Sequence, residues 1–143
     1  MTNQYSTEDQ VAYIYELLGI GECEEIEFKS AKGGFAKEIW PTYSAFANTH
    51  GGVIVLGVKE ENDGLSLSEL TREEADRCKE KLWSQVRNKE VVSLCLLSNE
   101  DVQIIDVDGS FLLTVRVPQA TRIQRPVYCK RIPDDGTYRR NAT

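Results

Sequence analysis

Residues 52–58 read Gly-Val-Ile-Val-Leu-Gly-Val, a stretch without one polar side chain. A run of that length and composition suits a strand covered on both faces, because a face turned to water would place a polar residue at every second position. The rest of the chain must therefore provide neighbours on either side of this strand and apolar cover above and below it.

The remaining pattern offers that cover. Val11, Ile14, Tyr15, Leu17 and Leu18 recur at helical spacing over 7–18. Thr7 and Gln10 can form a capping box there, Glu8 and Asp9 suit the positive end of the helix dipole, and Gly19 and Gly21 stop the helix. Residues 24–29 alternate acid with apolar, which predicts a strand with Ile26 and Phe28 facing inward. A second helix is expected over 35–49, on the stripe Phe35, Ile39, Tyr43, Phe46 and Ala47. Pro41 belongs in its first turn or kinks it. Asn48-Thr49-His50-Gly51-Gly52 then ends it with residues that tolerate left-handed backbone.

A third helix is expected over 71–88, capped by Thr71, with Ala75, Cys78, Leu82, Trp83 and Val86 on its apolar face. Residues 61–64 read as a turn. Residues 102–108 and 111–117 flank Asp108-Gly109, a strong hairpin signal. Short strands are expected at 127–129 and 137–140. The order predicts an α/β (α+β) single domain: a mixed β-sheet with about three packed helices.

At 143 residues, 41% hydrophobic and 28% charged, the chain has the size and composition of one globular domain. No apolar run approaches the roughly 18 residues needed to span a bilayer. The polar opening MTNQYSTEDQ does not read as a signal peptide. Cys23, Cys78, Cys95 and Cys129 contain no CxxC pair and His50 is the only histidine, so a structural zinc site is not expected. Free thiols suit a cytoplasmic location.

The net charge of −6 conceals an asymmetry. Residues 1–115 carry 10 Lys and Arg against 21 Asp and Glu. Residues 116–143 carry Arg116, Arg122, Arg125, Lys130, Arg131, Arg139 and Arg140 against Asp134 and Asp135 only. A basic C-terminal stretch interleaved with Tyr128 and Tyr138 can track a phosphate backbone, or it can pair with the acidic body. The nucleic-acid-binding candidates are Lys29, Lys32, Arg125, Lys130, Arg131, Arg139 and Arg140.

The acidic cluster Glu22, Glu24, Glu25 and Glu27 admits two readings. Paired carboxylates can hold Mg2+ or Mn2+ and so activate water, with Glu22 and Glu27 as ligands once Gly21 permits a bend. Equally, acids on an edge strand block edge-to-edge pairing. His50 reads as a loop residue, and the glycines at 51 and 52 as a helix cap leading into the central strand.

Several of these segments, in order, carry a resemblance: Glu22-x4-Glu27-Phe28-Lys29, Ser44-Ala45-Phe46-Ala47-Asn48-Thr49-x-Gly51-Gly52, Leu56-Gly57-Val58, Val115-x-Val117-Pro118, Arg125-Pro126-Val127-Tyr128 and Tyr138-Arg139-Arg140-Asn141. The set resembles the Schlafen-type AlbA domain, also called AlbA-2 or divergent AAA-4. It spans about 21–143, with 1–20 a preceding helix, and the resemblance implies the excised N-terminal domain of a longer protein.

It further implies a DNA-binding module of a transcriptional regulator. Animal relatives use the domain as a metal-dependent ribonuclease, whose two glutamates fall on Glu22 and Glu27. Here Cys23 stands where the Schlafen pattern has serine, and the later acid of that pattern has no clean match at Lys59-Glu60-Glu61. The readings therefore rank as nucleic-acid binding, DNA ahead of RNA, then a divalent-metal ribonuclease using Glu22 and Glu27. Third comes a homo-oligomerisation module packing the edge near Glu25, or the helix at 71–88, on a second copy. ATP binding is excluded for this stretch, which holds no GxxxxGK[ST] loop.

Overall fold

In a computed structural model, residues 7–32, 39–61, 64–67, 69–129 and 137–139 are described. Their elements run α1 (Thr7–Ile20), β1 (Ile26–Lys29), α2 (Ile39–Ala47), β2 (Gly52–Leu56), β3 (Val58–Glu61), β4 (Gly64–Leu67), α3 (Arg72–Val86), β5 (Val102–Val107) and β6 (Ser110–Val117). The main sheet has the order β1-β2-β6-β5. β1 runs parallel to β2, while β6 is antiparallel to both β2 and β5, so the sheet is mixed. Parallel neighbours need a crossover, and α2 supplies it.

The apolar run behaves as its composition demands. β2 lies inside the sheet and its residues alternate between two cores. Val53 and Val55 join Ile26, Phe28, Ile105 and Leu112 beneath Ile14 and Leu17 of α1. Ile54 and Leu56 join Leu113, Val115 and Val117 beneath α2 and α3, with Tyr43, Phe46 and Leu82 at the centre. The helix at 7–20 is thus the cover of one sheet face, integral to the fold. Burying one such aliphatic side chain stabilises by about 1.5–3 kcal/mol, and both faces of the sheet are lined this way.

The apolar run does not continue to Val58 as one strand. Gly57 adopts a φ of 106°, and a Cβ there would lie 2.8 Å from Leu112 Cδ2. The chain leaves the main sheet at that glycine and forms a separate β3–β4 hairpin, where the sequence predicts only a turn.

Helix ends follow local chemistry. α1 runs through Gly19 to Ile20 and is closed by Gly21, with φ 81° and its N–H donating to Leu17 O at 2.9 Å. Pro41 is the third described residue of α2. The part of the expected helix at 35–38 lies outside the described residues. α3 starts at a full capping box: Glu74 N–H donates to Thr71 Oγ1 and Thr71 N–H to Glu74 Oε1.

Candidate nucleic-acid interface

Eight of the nine residues of α2 are buried. Ser44 is among them, and Asn48, one turn on, is 6% exposed. At i and i+4 they share one helix face, and that face meets the C-terminal segment. Asn48 Nδ2 donates to Val127 O at 2.8 Å and to Tyr138 O at 3.0 Å, while Asn48 Oδ1 accepts from Val127 N at 2.8 Å. Ser44 Oγ donates to Val127 O at 2.7 Å and accepts from Tyr138 N at 3.0 Å. The carboxamide fits in one orientation only, since the flipped group would set its oxygen against two carbonyls.

The same segment is held from its other side. Tyr128 N–H donates to Ser93 Oγ, and Ser93 N–H to Tyr128 O. Ala120 N–H donates to Ala47 O, tying the chain after β6 to the end of α2. Where the sequence predicts strands at 127–129 and 137–140, the described residues show single bridges, Tyr128 with Thr137 and Val92 with Cys129. Side chains of α2 take up backbone groups that a strand partner would otherwise satisfy.

This clamp positions two of the basic candidates. Arg125 lies two residues before the clamped Val127, and Arg139 directly follows the clamped Tyr138. Both arginines are exposed. Neither forms an ion pair among the described residues. Lys130, Arg131 and Arg140 lie outside the described residues.

Lys29 and Lys32 sit elsewhere. Lys29 is in register with Leu56, four residues along β2 from the Gly52 end to which Asn48 leads. That is about 13 Å at the usual strand rise. Its Nζ stands 3.9 Å from Glu27 Oε2 on the same half-buried face. Lys32 Nζ donates to Glu69 O at 3.3 Å and lies 3.9 Å from Glu74 Oε1, beside the start of α3. The structure anchors the two segments that carry Arg125 and Arg139 on the end of α2 and leaves Lys29 toward the other end of β2, with Lys32 beside α3.

Glu22 folds back as Gly21 allows. Its Oε2 accepts from Phe28 N at 2.9 Å, around a tight turn closed by Cys23 and Ile26. Glu25 O and Lys29 O accept from β2 and its extension, so the odd-numbered residues of β1 face β2 and the Phe28 N–H faces the open edge. The Glu22 carboxylate therefore covers a free edge donor, the protective role an acidic edge can have. Glu22 and Glu27 are drawn to the same strand. Among the described residues, however, no three His, Cys, Asp or Glu side chains group as a metal-binding set.

The sequence places Asn48 in a helix-ending loop and does not reveal its bonding. The available signal was a serine and an asparagine one turn apart on an otherwise apolar helix face. Such residues need partners when buried. His50 is exposed. Gly51, with φ 78° and a would-be Cβ 2.7 Å from Val117 O, lets α2 turn tightly into β2.

Together these elements define a mixed sheet between helical layers, with a basic C-terminal segment pinned to the end of its crossover helix. The family model Schlafen, AlbA_2 matches residues 22–143, and the chain belongs to that family. The solution NMR structure of the N-terminal domain of a RecG-related protein (the name refers to an ATP-dependent DNA helicase) from Nitrosomonas europaea is similar. It superposes with a TM-score of 0.66 at 27% identity, over 98% of this chain and 91% of that one. The DIP2311 protein from Corynebacterium diphtheriae shares the fold, with a TM-score of 0.51 at 16% identity over 86% of this chain and 24% of that one. No curated protein matches. No helix among the described residues is long and apolar enough to cross a membrane.

Proposed function

We propose that this domain binds nucleic acid, duplex DNA ahead of RNA, as a module of a cytoplasmic transcriptional regulator. The proposed phosphate contacts are Arg125 and Arg139, together with Lys130, Arg131 and Arg140, which lie outside the described residues. The observation that supports the reading is the Ser44–Asn48 clamp, whose bonds to Val127 and Tyr138 anchor the backbone beside two exposed arginines, Arg125 and Arg139, that form no ion pair among the described residues. Membership of the Schlafen AlbA_2 family and the likeness to a domain of a helicase-related protein support it. Unbridged cysteines fit a reducing compartment.

The acidic body repels phosphates, so binding is weak and strongly salt-dependent. Titrating a labelled duplex and an RNA hairpin at low salt tests this reading. Replacing Arg125, Lys130, Arg139 and Arg140 together with Gln abolishes binding; unchanged affinity overturns the assignment. Running the end points on a gel with Mn2+ separates the alternative, since RNA shortening that disappears in Glu27→Gln would move the function to Glu22 and Glu27.

A further inference from the structure

The geometry points to Ile123 as an apolar wedge that enters the minor groove of duplex DNA. This rests on the proposed nucleic-acid binding and names the element that would engage the duplex.

Residues 121–125 form a tight turn closed on itself. Thr121 N–H donates to Gln124 Oε1 at 2.8 Å, Gln124 N–H reaches Thr121 Oγ1 at 3.3 Å, and Gln124 and Arg125 N–H both reach Thr121 O at 3.1 Å. Its feet are fixed in the core: Ala120 is 2% exposed and Val127 is fully buried. At the tip stands Ile123, 96% exposed. Among the described residues, the other large exposed apolar side chains, Tyr13, Tyr15 and Ile20, all belong to α1. No described apolar neighbour shelters the Ile123 tip.

Its neighbours give the tip a direction. Arg122 and Arg125 flank Ile123, both exposed and both without an ion pair among the described residues. A self-braced turn with one exposed branched aliphatic, preceded by Arg122 and followed by Arg125 in the chain, suits a groove about 6 Å wide, which is too narrow for a helix. The negative potential of a narrow minor groove attracts arginine. An inserted isoleucine opens a base step and bends the duplex. A bilayer is the poorer fit, because a single aliphatic side chain gives little anchoring.

The test uses the whole 143-residue chain with a 20-base-pair A·T-rich duplex labelled at both ends, so that one sample reports affinity and bend. The duplex is expected to bend on binding. Ile123→Ala leaves the melting temperature unchanged, abolishes the bend and weakens binding roughly tenfold, as loss of part of one buried isoleucine implies. It does not alter the salt dependence. Arg122→Gln instead lowers the slope of log K against log salt by about 0.9. If Ile123→Ala binds and bends DNA like the parent while neutralising Arg125 and Arg139 abolishes binding, the wedge is wrong and the phosphate contacts stand. Binding to phosphatidylserine vesicles in place of duplex, lost in Ile123→Ala, would overturn both.

Discussion

The Asn48 carboxamide and the Val127 peptide group bond each other in both directions, Nδ2 to O and N to Oδ1, each at 2.8 Å. One side chain thus acts as a one-residue strand partner, and the C-terminal segment depends on it.

Asn48→Ala leaves Val127 N–H without that partner in a buried site and Tyr138 O without it in a half-buried one. At about 1–3 kcal/mol for each unsatisfied group, the variant loses about 3 kcal/mol. Urea unfolding should show this, together with weakened nucleic-acid binding. A loss below about 0.5 kcal/mol would mean that the clamp does not hold the segment.

Gly51→Ala must place a Cβ against Val117 O at 2.7 Å while keeping φ at 78°. Strain of this kind costs about 1–3 kcal/mol. A variant as stable as the parent in thermal unfolding would contradict the tight α2–β2 turn.

Glu22→Ala uncovers the Phe28 N–H at the open edge of β1. The stability change is small, under about 1 kcal/mol, because water replaces an exposed partner. Self-association should rise instead. Light scattering across a concentration series checks this, with Glu22→Gln, which keeps an acceptor, remaining near the parent. Equal behaviour of Glu22→Ala and the parent would remove the edge-cover role.

The hydrogen bond from the Thr71 backbone holds the Glu74 carboxyl below its usual 4.5; partial desolvation opposes this and Lys32 assists it. A carboxyl depressed in the folded state contributes stability above the unfolded value and loses it as pH falls through the folded one. Glu74→Gln keeps an acceptor but does not titrate. The stability gap between parent and variant should therefore narrow as pH drops below 4.5, in urea midpoints measured from pH 7 to 3. A constant gap would contradict the coupling.

What the sequence made legible was what local chemistry decides alone. The apolar run at 52–56 forms an interior strand because both its faces are buried. Asp108-Gly109 joins β5 to β6, with Asp108 at φ 52° and Gly109 at 90°. The β3–β4 hairpin was not legible: Val58 reads as the end of the central strand and 61–64 as a turn unless the positive φ of Gly57 is known. Nor was the fate of 127–129, whose backbone partners are side chains of Ser44, Asn48 and Ser93, residues far away in sequence. The same holds at the candidate site. Charge pattern marked Arg125 and Arg139, but grouping Lys29 and Lys32 with them needed a register that only the folded sheet provides. The cover of Glu22 over Phe28 N–H likewise depends on which edge of β1 is free.

In the proposed function Arg125 and Arg139 contact phosphates. The measurement is the slope of log K against log salt for duplex DNA, in the parent and in Arg125→Gln/Arg139→Gln. Two lost phosphate contacts should reduce the slope by about 1.8 and weaken binding at low salt. The same slope and affinity in both proteins would contradict the account.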